Sequence, residues 1–349
     1  MLDALLKYVS DEKGSDLHLK VGSRPIMRRN TKLFYIGNTN TVTDEEMNKV
    51  LDALLSEYGR EQLEEKFSFD LSYEIEDESR FRVNISRDGK SYLLVARVIP
   101  CDIPPMESLR LPHLLKKIVD MRDGIVLVTG ATGNGKSTTV ASMLNYLNKS
   151  LNKRIYTLED PIEYRFKDEK SIVSQRELGK DIVSFDSALK YVLRQDPDII
   201  FVGEMRDKET IKAAIRAAET GHLVISTIHT RNTSQTIDRI VDMFPKEEQG
   251  QVRVELAHLL QMIMSQQLMP SDKAKGMALA YELLICTPAV SNLIREGKTH
   301  QIQSILETGG KYGMKTFEAS LDDLYKSGYI SKEEMTMRIN AQAIYRENE

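Results

Sequence analysis

Only two cysteines occur in the 349 residues, Cys101 and Cys286, and they are too far apart to form a CxxC pair. That scarcity argues against a disulfide framework or a structural zinc site, and it fits a reducing cytoplasm. Neither sign of charge is in excess: 48 Lys and Arg stand against 52 Asp and Glu, for a formal net charge of −4. Such a chain exerts no global pull on nucleic acid or an anionic membrane, although a ring of copies can still line a locally basic pore. The N-terminal stretch from Met1 to Lys7 lacks the basic region and apolar core of a signal peptide. No apolar run is long enough to cross a bilayer, so any membrane contact is expected to be peripheral.

The length suits two domains. Pro100, Pro104, Pro105 and Pro112 crowd one stretch, where fixed φ angles and missing N–H donors discourage helix and sheet. Residues 100–112 therefore read as a linker between a first domain, 1–99, and a second, 113–349. In the first, Leu17, Leu19 and Val21 alternate with polar residues as in a half-buried strand. Thr43 and Glu46 form a capping-box pattern opening a helix. Strands are expected at 69–73, 80–86 and 91–98, and the acidic turn of Glu74, Glu76, Asp77 and Glu78 reads as solvated loop. From Gly124 onward apolar strands alternate with helical segments, which predicts a largely parallel α/β sheet. Its strands are expected at 125–129, 155–158, 199–202, 223–227 and 277–285, and helices from about 287 to the end.

Gly130-Ala131-Thr132-Gly133-Asn134-Gly135-Lys136-Ser137 matches the Walker A pattern in full, with Thr138 following. Its glycines let backbone N–H groups turn toward phosphate oxygens, and the next helix adds partial positive charge at its N-terminus. Lys136 is suited to the β- and γ-phosphates of ATP, and the Ser137 hydroxyl to Mg²⁺. A strand before the loop and a helix after it supply the context the motif needs.

Ligands of an open parallel sheet bind beyond the carboxyl ends of its strands. After the strand at 155–158 come Glu159 and Asp160, with Glu163 just beyond Pro161. These carboxylates are candidates to hold Mg²⁺ directly or through water, Glu163 also to take part in the chemistry. After 199–202 come Gly203 and Glu204, the latter suited to polarise an attacking water. After 223–227 comes His229, able to hydrogen-bond the γ-phosphate. Each residue alone is as readily a helix cap or a structural histidine, and their common edge is what singles them out. Asp198 precedes its strand and is expected to be structural.

At this point a resemblance becomes specific. The loop GATGNGKSTT, TLEDPIEY at 157–164, QRELG at 175–179, LRQDPDIIFVGEMRD at 193–207 and AIRAAETGHLVISTIHT at 214–230 resemble the secretion ATPase superfamily. Within it they are similar to the pilus-retraction or twitching-motility (PilT) family. The resemblance implies a homohexameric ATPase driving pilus retraction, each subunit a PAS-like α+β domain joined to a RecA-like P-loop motor domain with a helical C-terminal end. It also implies an Asp box at 154–164, an atypical Walker B segment ending at Glu204, and a His box with His222 and His229. Gly203 stands where many P-loop enzymes carry Asp. The partner implied is the inner-membrane platform protein of the pilus machine, reached from the cytoplasmic side, with no nucleic acid. Relatives driving extension or secretion usually have a larger N-terminal region and a tetracysteine motif, and this chain has neither. An accessory retraction, extension or secretion ATPase of the same superfamily, or a nucleotide-gated scaffold with negligible turnover, are the alternatives.

Asp88-Gly89 reads as a two-residue hairpin turn, which sets Arg80 opposite Arg97 with Arg82 on the same face. Two guanidinium groups about 5 Å apart repel by roughly 3 kcal/mol at an effective dielectric near 20. At a subunit interface such a cluster needs an anion, and the resemblance implies the phosphates of ATP on a neighbouring motor domain. Arg176 and Arg194 are further candidates for that task.

Overall fold

The computed structural model describes the chain apart from residues 30, 31, 38, 76–78, 100, 101, 272, 275, 348 and 349, with backbone only for 342–347. Glu76, Asp77, Glu78, Pro100 and Cys101, all part of the sequence argument, therefore lie outside the described residues, as does the extreme C-terminus. The chain divides into two compact units, Met1–Asp102 with Pro161–Arg165, and Ile103–Asp160 with Phe166–Glu349.

The first unit opens with α1 (Leu2–Asp11), whose Leu2, Leu5, Leu6 and Val9 recur at helical spacing and are buried. There follow β1 (Asp16–Lys20), β2 (Ile26–Arg29), β3 (Lys32–Tyr35), α2 (Asp44–Leu54), α3 (Glu57–Lys66), β4 (Ser68–Ile75), β5 (Ser79–Asp88) and β6 (Ser91–Ile99). The capping box forms: Thr43 Oγ1 accepts from the Glu46 amide, and the Glu46 carboxylate accepts from the Thr43 amide at 2.9 Å. Such a cap is worth about 1 kcal/mol. The six strands run in the order β3-β2-β1-β6-β5-β4. Alternation along them sends Leu17, Leu19, Phe81, Val83, Ile85, Leu94 and Ala96 into one core.

The β5–β6 register differs from the expectation. Asp88 pairs with Ser91, so the turn residues are Gly89 and Lys90, and Arg82 rather than Arg80 faces Arg97. Gly89 has φ of +63°, and a left-handed glycine at the first of two turn positions suits a type II′ hairpin. Arg80 faces Ile99, is only 4% exposed and stands 3.8 Å from Glu74. It is set apart from the Arg82–Arg97 pair.

The second unit contains α4 (Leu114–Val119), β7 (Gly124–Thr129), α5 (Lys136–Ser150), β8 (Arg154–Glu159), β9 (Ile172–Glu177), α6 (Phe185–Val192), β10 (Ile199–Val202), α7 (Lys208–Glu219) and β11 (Leu223–Ile228). It continues with α8 (Thr233–Asp242), α9 (Lys246–Leu259), β12 (Leu260–Ser271), β13 (Gly276–Ile285), α10 (Pro288–Glu296), α11 (Ile302–Thr308), α12 (Phe317–Lys326) and α13 (Lys332–Glu347). Seven strands order as β13-β12-β7-β11-β10-β8-β9. Neighbours are parallel except β13, which runs against β12. Every residue of β7, β10 and β11 is buried, as a sheet covered on both faces requires. Ile125, Leu127, Ile200 and Val224 pack to one side with α7, α8 and α9, while Val126, Val128, Phe201 and Ile225 pack to the other with α4 and α5. Met106 and Leu111, inside the stretch read as linker, are buried in that second cluster.

Two strands of this seven-stranded sheet were not expected, as β2 and β3 were not in the first. β9, of sequence IVSQRE, is an edge strand with too few apolar residues to declare itself. β12 is rich in Met and Gln and comes directly after α9 without a break residue, so its pattern reads as continuing helix. It lies beside β7, the strand that leads into residues 130–137.

Candidate functional site

The parallel register brings the carboxyl ends of β7, β11, β10 and β8 to one edge of the second unit. Beyond β7 the loop curls and α5 begins at Lys136. β12 shapes that curl. Gln266 Nε2 donates to the Asn134 carbonyl at 2.7 Å, and the Leu268 amide donates to Asn134 Oδ1 at 3.2 Å. Gly130 has φ of +143°, and a Cβ there would run into the Gln266 carbonyl, so only glycine lets the loop lie this close to β12. Ala131, Thr132 and Gly133 form the exposed tip, and Ser137 and Thr138 lie on the first turn of α5.

Lys136 is 8% exposed and its ammonium donates to the carbonyls of Gly130 at 2.9 Å and Ala131 at 3.1 Å. It also stands 3.3 Å from Nδ1 of His229. On the far side of the ring, His229 Nε2 lies 3.2 Å from Glu204 Oε2. An ammonium only donates and a carboxylate only accepts, so the imidazole that satisfies both carries its proton on Nε2. Arg206 Nη2 donates to the same Glu204 oxygen at 2.8 Å. Burial pushes the Glu204 pKa up, but the hydrogen bond and charge of Arg206 and the hydrogen bond from His229 outweigh it and hold the carboxyl below its ordinary range. Glu204 is thus an ionised base with both of these partners on one oxygen.

Gly203 brings β10 against β8. Its amide donates to the Leu158 carbonyl at 2.7 Å, and a Cβ would sit 3.1 Å from that oxygen and 3.3 Å from Glu159 Cα. At the end of β8, Glu159 is 7% exposed, and its Oε1 accepts from Thr157 Oγ1 at 2.6 Å and Gln175 Nε2 at 3.1 Å. Asp160 is exposed and its charge acts on Arg206. Among the described residues no group of three or more His, Cys, Asp or Glu forms a metal cage.

Other candidates fall elsewhere. Glu163 lies in the Pro161–Arg165 segment, which groups with the first unit, as do Arg80, Arg82 and Arg97. His222 precedes β11, at the opposite end of that strand from His229, and its Nδ1 engages the Ala217 carbonyl and Thr220 Oγ1. Arg176 is bonded to Gln195 Oε1 and Arg194 to the Lys190 carbonyl. Asp198 braces the start of β8 through Lys153 Nζ and the Arg154 amide.

Three contributors escaped the sequence reading. Arg206 had a signal, a cation two residues beyond the strand-end glutamate. Gln266 had none, because β12 was not seen as a strand. The third is a cavity of about 400 Å³ beside Gly135 and Thr138, walled by Leu109, Arg110, Leu268, Met277 and Leu279. It brings together three separate stretches of chain that no local pattern connects.

Residues 106–336 match the family described as Type II/IV secretion system protein. The chain is 43% identical over 329 residues to the "Type IV pilus retractation ATPase PilT" of Pseudomonas aeruginosa, covering 94% of this chain and 95% of that one. It is also 43% identical over 296 residues to the twitching motility protein of Neisseria gonorrhoeae, covering 85% of this chain and 79% of the other. The fold superposes on a crystal structure of the pilus retraction motor PilT with bound ADP at a TM-score of 0.88, with 43% identity and coverage of 95% and 94%.

Proposed function

The chain belongs to the Type II/IV secretion system protein family, and on that premise we propose that it is a hexameric ATPase motor powering type IV pilus retraction. The observation that carries the reading is the continuous line from Lys136 through His229 to Glu204, spanned by contacts of 3.3 Å and 3.2 Å. A phosphate-loop lysine, a hydrogen-bonding histidine and an ionised glutamate stand in line from the phosphate loop outward.

The chemistry is set by those atoms. Backbone N–H groups of residues 130–137 receive the phosphates, and the Lys136 ammonium moves from the Gly130 and Ala131 carbonyls onto phosphate oxygens. The base of the nucleotide takes the cavity beside Gly135. Glu204, held on Oε2 by Arg206 and His229, offers Oε1 to the attacking water and accepts its proton as the P–O bond to ADP breaks. His229 stands between base and lysine, where loss of the γ-phosphate changes its partners. Ser137, with Glu159 and Asp160 acting directly or through water, would hold Mg²⁺, which supplies charge neutralisation between the phosphates.

On the same reading the second unit is a RecA-like motor domain and the first a PAS-like domain. Arg82 and Arg97 reach the ATP of an adjacent subunit in the ring, and Glu163 takes part in the chemistry. The motor acts from the cytoplasm on an inner-membrane platform protein, with only peripheral membrane contact; no helix among the described residues is long and apolar enough to span a membrane.

Phosphate release by the purified protein, with its mass in solution, tests the reading. Glu204→Gln should bind ATP and lose turnover by about a hundredfold or more, the usual share of a general base. Near-normal release by that variant removes Glu204 from the role. Negligible release by the unmodified ring would favour the scaffold alternative. Deleting the gene should leave surface pili in place and abolish twitching; loss of pili instead would point to extension.

A further inference from the structure

Asp16 on β1 lies directly across from Arg97 on β6, and Arg97 directly across from Arg82 on β5. On its other side Asp16 faces Arg28 of β2. One straight row therefore crosses the sheet as Arg82, Arg97, Asp16 and Arg28, on the face away from the core of Leu17, Phe81 and Ala96. Within that row one carboxylate stands among three guanidinium groups, and Arg82 at its end also has Asp70 of β4 3.6 Å from its Nε.

That carboxylate is held unusually firmly. Asp16 is 4% exposed, yet the Arg97 side chain beside it is 70% exposed. A buried carboxylate is costly unless both oxygens are engaged, and both are. Oδ1 accepts from Arg97 Nε at 2.9 Å, and Oδ2 accepts from Ser15 Oγ at 2.7 Å, with Arg28 Nε 3.9 Å away. Burial pushes the carboxyl pKa up, but the Ser15 and Arg97 hydrogen bonds and the Arg97 charge outweigh it and keep Asp16 ionised. The mounting is rigid too, because β1 and β6 are the two central strands of the sheet.

The mode of contact decides what Arg97 can do. Held through Nε, a guanidinium keeps both terminal amino groups for another acceptor, whereas a fork grip would use one or both of them. Asp16 also offsets the repulsion that Arg82 exerts on Arg97 across the strand pair. We infer that Asp16 is a positioning residue, pinning Arg97 by Nε so that its terminal nitrogens are presented to the ATP phosphates of a neighbouring copy. The inference rests on the proposed function, in which Arg97 acts on an adjacent subunit.

A cycle on the full-length ring tests it: the unmodified protein, Asp16→Asn, Arg97→Ala and the double variant, each measured for kcat and KM of phosphate release, melting temperature and ring mass. Asp16→Asn keeps the shape but loses the charge, and should lower kcat on the order of tenfold or more, as a misplaced catalytic contact does. Rings should persist and KM should change much less. Adding Asp16→Asn to Arg97→Ala should cost kcat nothing further, since the arginine that Asp16 aims is already gone. Multiplying losses in the double variant, or wild-type kcat in Asp16→Asn beside a crippled Arg97→Ala, overturns the positioning role alone. Wild-type kcat in Arg97→Ala overturns the neighbour-arginine reading and this inference with it. If Asp16→Asn fails to form rings, Ser15→Ala, which frees Oδ2 and leaves the Arg97 contact standing, should retain kcat. Loss of kcat there, with rings intact, would mean that the buried carboxylate rather than its grip on Arg97 matters.

Discussion

Replacing Gly203 by alanine probes why this chain departs from the aspartate that many P-loop enzymes place before the strand-end acid. The Gly203 amide donates to the Leu158 carbonyl at 2.7 Å, and its carbonyl accepts from Thr227 Oγ1 at 2.6 Å. The residue is thereby fixed between β8 and β11. An added Cβ would meet the Leu158 oxygen at 3.1 Å and Glu159 Cα at 3.3 Å, a few tenths of an ångström inside ordinary contact. β8 cannot easily recede, because Leu158 pairs with Val202 on one side and Arg176 on the other. Overpacking of this kind costs about 1–3 kcal/mol. For a unit of this size each kcal/mol lowers the melting temperature by roughly 2–4 °C. Gly203→Ala should therefore melt about 2–12 °C lower, taking those two ranges together. It should also slow phosphate release, since Glu204 is the next residue and Glu159 the one displaced. Gly203→Asp should be worse on both counts. A thermal melt beside steady-state phosphate release is the assay. If alanine left melting and turnover unchanged, close approach of β10 to β8 would not be the reason for glycine. If aspartate raised turnover, the steric account would be wrong outright.

Two further predictions concern separate parts of the molecule. Mixed rings of Arg97→Ala and Glu204→Gln subunits should hydrolyse ATP faster than the average of the two pure rings, because some composite sites receive both groups; no gain in confirmed mixed rings refutes action across the interface. Burial pushes the Cys286 thiol up to about 11, so at pH 8 native protein should alkylate at Cys286 far more slowly than denatured protein. Equal rates, read peptide by peptide in a mass spectrometer, would show that the thiol is not shielded.

The legible part of the site was the part that repeats in sequence order what the sheet repeats in space. Each buried parallel strand is a short apolar run, and the residues just after each run land on one edge, so Lys136, Glu204 and His229 could be grouped from placement alone. The contacts among them, 3.3 Å and 3.2 Å, depend on a strand order in which β11 lies between β7 and β10, and no run of residues records that order. Gln266 shows the limit more sharply. Its strand has the Met and Gln of a helix continuing from α9, and it becomes a strand because β7 and β13 hydrogen-bond it on either side. Tertiary pairing overrode local pattern there. The arginine register failed for a smaller reason, a turn shifted by one residue. In a hairpin that shift moves each partner by two positions, and here it exchanged Arg80 for Arg82 opposite Arg97 while leaving every side chain on its face. Which face carries the cations is therefore readable from sequence; which cation a carboxylate holds is a property of register, and only the folded sheet places Asp16 beside Arg97.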